Sequence, residues 1–315
     1  MRVAITADRA ELSPANIGEP DLFLRTVPRT FVHRSAVSEV LLTGIQETGP
    51  DRFRIGAQWP RSHSYYGPVR RRWHDPVLLA ETIRQIVLLI AHDAFGLPLG
   101  YHFLSHSTSY DLDVDGAVLT DRPADVLLDV QCLNIKRRAK MVSAFSVEAQ
   151  CIRDGRVIGS TRMSLSCVSD ATYRRLRGDK SDAVPLRVLP APVAPELVGR
   201  RWEHDVVLGD TGVDRVWTLR ADPDHPVLFD HPVDHVPGMA VMEAARQASL
   251  AALQRPDGLA LGCDATFSHY VEYDTTCLVT ATVESPGLLG LNNVSVRFDQ
   301  GGVTAATCGV TVLAD

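Results

Sequence analysis

Two segments carry the same three polar residues at the same spacing: Glu81, Arg84 and Gln85, then Glu243, Arg246 and Gln247. On a helix, positions i, i+3 and i+4 share one face. Both segments lie within otherwise apolar runs, and an unpartnered buried charge is costly, so these groups must pair or line a cavity. Two readings follow. Glu81–Arg84 and Glu243–Arg246 are intrahelical pairs that stabilise a domain interface, or the same groups line a site, with Glu as acid/base or orienter and Arg binding an anion. The approach to the second segment, Phe229-Asp230-His231-Pro232-Val233-Asp234-His235-Val236-Pro237-Gly238, adds two histidines. Each reads equally as a satisfied loop residue or as a site residue.

The elements that position these residues form a repeat. Glu81 and Glu243 stand 162 residues apart, Asp51-Arg52-Phe53 recurs as Asp214-Arg215-Val216, and Glu39-Val40-Leu41-Leu42 recurs as Asp205-Val206-Val207-Leu208. The echoes keep their order, as a duplicated domain requires. Asp75-Pro76 predicts the start of a helix that runs to about Phe95 and stops at Gly96-Leu97-Pro98. A second helix is expected from Gly238 to about Leu253. Both are apolar around nearly the whole circumference, which marks a buried helix. Strand patterns follow at residues 126–132, 141–152 and 157–168, then at 276–283, 293–298 and 303–313, with Asp154-Gly155 as a hairpin turn. A buried helix wrapped by an antiparallel sheet, twice over, is an α+β tandem hot-dog. The expected boundaries are a leader at 1–29, repeats at 30–177 and 197–315, and between them a linker at 178–196 rich in proline.

Composition limits the function. The 315 residues carry a net charge of −6, which excludes the basic footprint of a nucleic-acid binder. The most apolar stretch is too short for a bilayer, which needs about 20 residues, and no signal peptide is visible, so a cytoplasmic location is expected. Six cysteines without a CxxC pair read as buried free thiols in a reducing compartment. There is neither a GxSxG motif nor a glycine-rich phosphate loop.

The helix entry at 229–243 resembles that of β-hydroxyacyl-carrier-protein dehydratases, where an acid follows five residues after the Pro-Gly start. Glu243 falls on that acid, whereas His231 and His235 both sit nearer the Gly than the family's His. The resemblance implies that the Gly238 N–H polarises a thioester carbonyl, and that the His and Gly of one repeat face the acid of the other. The equivalent of Gly238 in repeat one is Pro76, which has no N–H, beside Asp75, which would repel an oxyanion. One competent site is therefore expected, with Gly238 and His231 or His235 facing Glu81 and Arg84. Glu243 and Arg246 would line a degenerate site or bind a second substrate.

More of the chain resembles the A-factor biosynthesis family: Val32-His33-Arg34, Ala57-Gln58-Trp59-Pro60-Arg61-Ser62-His63-Ser64-Tyr65, the stretch from Asp75 to Gln85, Gly96-Leu97-Pro98-Leu99-Gly100, His235-Val236-Pro237-Gly238 and Glu243-Ala244-Ala245-Arg246-Gln247. The resemblance implies transfer of a β-ketoacyl group from an acyl carrier protein to the hydroxyl of dihydroxyacetone phosphate, the first step towards γ-butyrolactone, furan or butenolide signalling molecules. Arg84 or Arg246 would hold the phosphate, with Gln85, Gln247, Arg61, Arg70, Arg71 and Arg72 as further candidates. Lys136, Arg137, Arg138 and Lys140 would dock the carrier protein or form a solvated loop. No cofactor is expected beyond the phosphopantetheine of the carrier, no nucleic-acid or membrane partner, and either a monomer (a pseudo-dimer within one chain) or a homodimer. Two other functions compete: a hot-dog dehydratase or thioesterase, and a non-catalytic sensor of a small molecule.

Overall fold

The computed structural model describes residues 21–183, 188–284 and 290–314. Residues 1–20 of the expected leader and 184–187 of the expected linker, including Pro185, lie outside the described residues.

Two long helices organise the chain. Helix α1 (Val77–Leu89) and helix α3 (Gly238–Leu253) are buried along nearly their whole length, as their all-round apolar sequences require. Helix α1 continues into a π-turn, Ile90–Ala94. Polar side chains inside α1 find partners on the spot: Trp59 donates its indole N–H to Thr82 Oγ1 (3.1 Å), and that hydroxyl donates to Leu78 O (2.7 Å).

Around the helices, the described residues form one antiparallel sheet of twelve strands. Repeat one supplies β1 (Leu42–Gly49), β2 (Arg52–Trp59), β3 (His102–Leu112), β4 (Ala124–Arg138), β5 (Met141–Arg153) and β6 (Arg156–Val168). Repeat two supplies β7 (Leu208–Val213), β8 (Val216–Leu219), β9 (Leu259–Phe267), β10 (Cys277–Val283), β11 (Leu291–Gln300) and β12 (Val303–Leu313). The spatial order is β1-β2-β4-β5-β6-β3-β9-β12-β11-β10-β8-β7, so the second half mirrors the first. The seam is the pairing of β3 with β9, where Ser107 faces Thr266 and Ser109 faces Asp264. Each half wraps its own helix, and the fold is the tandem hot-dog that the sequence pattern predicts.

The sequence reading differs from the structure at three elements. β3 and β9 were absent from it, although they form the seam, and so was helix α2 (Asp170–Arg177), which Ser169 caps by accepting from Thr172 N–H. The described part of the linker region is not uniformly extended, with 3-10 turns at Gly178–Asp182 and Pro195–Val198 and a bridge from Pro192 to Gly209. All six cysteines are buried and unpaired. Burial pushes the thiols of Cys132, Cys151, Cys167 and Cys277 up to about 12, so they are inert at neutral pH. No described helix is long and apolar enough to cross a membrane.

Candidate active site

Each central helix turns its Glu into the centre of a cluster, and the bonds to that Glu match one for one between the two. In repeat one, Arg34 holds Glu81 Oε1 from the loop after the 3-10 turn Arg29–Val32 (2.7 Å). Arg84 donates to both Glu81 oxygens (2.9 and 2.8 Å), and Gln85 donates to Oε1 (2.7 Å). In repeat two, Arg200 follows the equivalent turn and holds Glu243 Oε1 at 2.7 Å. Arg246 and Gln247 repeat the roles of Arg84 and Gln85, at 2.9, 2.6 and 2.6 Å. The glutamines also bind the neighbouring backbone: Gln85 to Glu39 O and Leu41 N–H, Gln247 to Asp205 O and Val207 N–H. They are fully buried braces, with no face towards a substrate.

These contacts also set protonation. Burial favours the neutral acid, but two arginines outweigh it in each cluster and hold Glu81 and Glu243 at about 2. A carboxylate so held is a fixed charge at neutral pH, and both of its oxygens are already engaged by arginine and glutamine donors. Of acid/base and orienter, the geometry fits the orienter for both.

The clusters reach across the repeats. Arg34 donates to Val227 O (3.0 Å) and Arg200 donates to Tyr65 O (2.6 Å). Each of these acceptors lies in a loop shaped by a histidine two residues earlier. His63 Nδ1 accepts from the N–H groups of Tyr65 and Tyr66, and His225 Nδ1 from those of Val227 and Leu228. The sequence reading missed His63, His225, Arg34 and Arg200 as positioning groups. The signal was their recurrence at the repeat offset.

On the Arg84 side a cleft of about 1640 Å3 opens between the repeats. It brings together His33, Arg34 and Arg84 with His231, His235 and the Pro237-Gly238 start of α3, above apolar walls that include Val87, Met163, Met239 and Phe267. No side chain caps α3, so its N-terminal N–H groups face a place where negative charge can develop. Arg84 commits Nε and one amino group to Glu81 and Val32 O, while its side chain stays 20% exposed in the cleft. His231 lies 3.3 Å from Asp230, whose carboxylate accepts from Ser35 and Ala36 N–H of the other repeat. His235 donates to Asp234 (2.8 Å), which also accepts from Tyr173 and from Arg177 of α2. Burial opposes the Asp234 charge, but these donors hold its carboxyl well below the usual range.

Among the described residues, the Arg246 side is buried. Arg246 is 7% exposed at its side chain and Glu243 is fully buried, and neither lines the cleft. Tyr65 is buried there, with the Arg200 guanidinium 3.8 Å over its ring. Asp75 is buried at the start of α1, accepts from Val77 N–H (3.0 Å), and adds its charge to the field around Arg246. Arg61, Arg71 and Arg72 are exposed away from the cleft, and Arg70 pairs with Asp257. The structure therefore does not bring these four arginines to the site, because their loop belongs to the closed side. Gly238, His231, His235 and Arg84 do meet, with Glu81 behind Arg84.

This combination of fold and site defines a double hot-dog protein with one open face. The chain matches the family model described as A-factor biosynthesis hotdog domain at residues 16–169 and 181–314, and it belongs to that family. It is 43% identical to a Streptomyces virginiae protein named 2-oxo-3-(phosphooxy)propyl 3-oxoalkanoate synthase, over 90% of this chain and 96% of that one. A Streptomyces griseus protein of the same name is 35% identical, over 81% of this chain and 85% of that one. Among solved structures, the fold is similar to the 12:0-ACP thioesterase of Umbellularia californica, with a TM-score of 0.51, 12% identity, and coverage of 86% and 100%. An acyl-ACP thioesterase from Bacteroides thetaiotaomicron gives 0.50 at 12% identity, covering 82% and 97%.

Proposed function

We propose that this protein condenses a β-ketoacyl thioester with the hydroxyl of dihydroxyacetone phosphate. The ester it forms is the product written in its relatives' name, a 2-oxo-3-(phosphooxy)propyl 3-oxoalkanoate. The observation that carries this reading is the open cleft itself, where a partly exposed arginine of one repeat faces the uncapped helix start of the other.

The residues divide the work as the chemistry demands. The apolar walls take the acyl chain. The Gly238 N–H at the start of α3 stabilises the oxyanion as the alcohol adds to the thioester carbonyl. Arg84, aimed by Glu81, takes the phosphate through its uncommitted amino group. Glu243, Arg246, Gln85 and Gln247 hold the scaffold. The acyl group arrives on a carrier protein, and the exposed basic tip of the β4–β5 hairpin, Lys136, Arg137, Arg138 and Lys140, suits its acidic surface. The product serves the synthesis of butyrolactone-, furan- or butenolide-type signalling molecules. The reaction calls for no resident cofactor, runs in the cytoplasm, and needs no second copy of the chain to complete the site.

The test mixes the purified protein with a β-ketoacyl carrier-protein thioester, with and without dihydroxyacetone phosphate, and follows products by mass spectrometry. A phosphorylated β-ketoacyl ester that requires both substrates is the expected outcome. Free β-keto acid regardless of the acceptor would instead make the protein a thioesterase, and no turnover would favour the sensor.

A further inference from the structure

His33 belongs to no role described so far, yet three features single it out. It lines the cleft immediately after Val32, whose carbonyl accepts from Arg84 (3.3 Å). It also sits in the left-handed backbone region at φ 49°, which is uncommon for a residue with a Cβ. The equivalent residue of repeat two, one before Arg200, is Gly199 at φ 69°, where the same conformation is unstrained. The open side thus carries an imidazole at a conformational cost.

Its ring is also held in one tautomer. His92 Nδ1 lies 2.7 Å from Leu97 O, and a carbonyl only accepts, so that nitrogen carries the proton. In the pair of neutral rings, His92 presents its lone pair at Nε2, which lies 2.9 Å from His33 Nε2. His33 must donate there, which leaves its own Nδ1 as the lone-pair nitrogen. Nδ1 has no hydrogen-bond partner among the described residues. The π-turn Ile90–Ala94 carries His92, and such bulges gather at functional sites.

We propose that His33 Nδ1 is the base that takes the hydroxyl proton of the phosphorylated acceptor, with His92 as the positioning residue that fixes its tautomer. The inference rests on the transfer reaction proposed above. As the acceptor oxygen bonds to the thioester carbon, its proton passes to His33 Nδ1 and the carbonyl electron pair moves to the oxyanion at α3. Collapse re-forms the carbonyl and breaks the C–S bond, and the departing thiolate takes the proton back from His33. A three-carbon acceptor with its phosphate on Arg84 keeps its hydroxyl close to His33, whereas His235 is bound up with Asp234, Tyr173 and Tyr270.

The surroundings of His33 tie its basicity to the acceptor. Burial first, then neighbouring charge that includes the Arg84 guanidinium, holds it down to about 3, so the resting ring is neutral and weakly basic. The nearby carboxylates, Glu81 and Asp230, are both committed to other donors. A phosphate dianion at Arg84 offsets the positive field and strengthens the base when the acceptor is bound. Water arriving alone meets a weaker base, which favours transfer over hydrolysis.

The test is His33→Asn, since Asn tolerates the left-handed backbone. Its kcat for transfer should fall about 10²–10⁴-fold, with KM for dihydroxyacetone phosphate within about threefold and partial rescue by added imidazole. A kcat within about threefold of the unaltered protein overturns the proposal. Should that variant fail to fold, His92→Leu leaves residue 33 unchanged while freeing its tautomer: a loss of about tenfold or more in kcat supports the proposal, and an unchanged kcat overturns it. An unaltered protein that makes no ester would overturn the transfer reading itself, which separates the two failures.

Discussion

The two faces between the repeats use one scaffold for opposite ends. On each, a buried Glu gathers two arginines and a Gln, and one of those arginines reaches the opposing loop. What stands opposite differs. Arg84 looks across a cleft at the uncapped start of α3, while Arg246 is buried beside Tyr65 and Asp75. Asp75 supplies a built-in anion at the helix N-terminus, so the closed face holds internally what the open face leaves for a ligand. Charge clusters of this kind stabilise when filled and can bind or catalyse when one side is left vacant.

Substitutions at the two helix starts should break this comparison most sharply. Gly238→Pro removes the N–H at the first position of α3, where proline is otherwise well tolerated. Transfer should fall about 10²–10³-fold with little change in Tm, whereas Gly238→Ala keeps the N–H and much of the rate. Pro76→Gly, on the closed face, should leave the steady-state rate within about twofold. Equal losses at 76 and 238 would remove the asymmetry.

Arginine truncations come next. Arg84→Ala should raise KM for the phosphorylated acceptor about tenfold or more, as expected for loss of about 1.5–3 kcal/mol in a charge-assisted contact. Arg246→Ala should leave that KM within about threefold and instead destabilise the fold, by about 3–5 kcal/mol for a buried pair broken on one side. Denaturant titration beside steady-state kinetics separates the two effects.

The smallest effect is a pH dependence. Glu81 and Glu243 fall from their ordinary 4.5 to about 2 in the fold, so the folded state binds fewer protons in that range. Their contribution is complete above about pH 5 and is lost as the pH falls towards 2. The Tm should drop across that interval, and Glu243→Gln should flatten part of the drop.

Much of this was legible in sequence because it is local. Glu, Arg and Gln at helical spacing, an all-round apolar helix and a Pro-Gly start each lie within one element, and periodicity reports such features. Pro76 against Gly238 was legible through the repeat alignment. Arg34 and Arg200 recur at the repeat offset too, but nothing local marks them as partners of Glu81 and Glu243, which they reach from separate turns that only folding brings near. His33 lacked any local signal too, since its meaning depends on a π-turn almost sixty residues later and on a glycine in the other repeat. Strands β3 and β9 were missed for a related reason: they pair with each other at the seam, where polar residues such as Ser107, Ser109 and Asp264 interrupt a simple apolar pattern.

The seam between β3 and β9 joins two units that are encoded separately on one chain. In an assembly of two identical polypeptides, any residue before one central helix would also precede the other. Opening one face would then open both, and closing one would close both. Fusion lifts that constraint, so Pro76 and Gly238 vary independently, and one chain carries an open face and a buried one side by side.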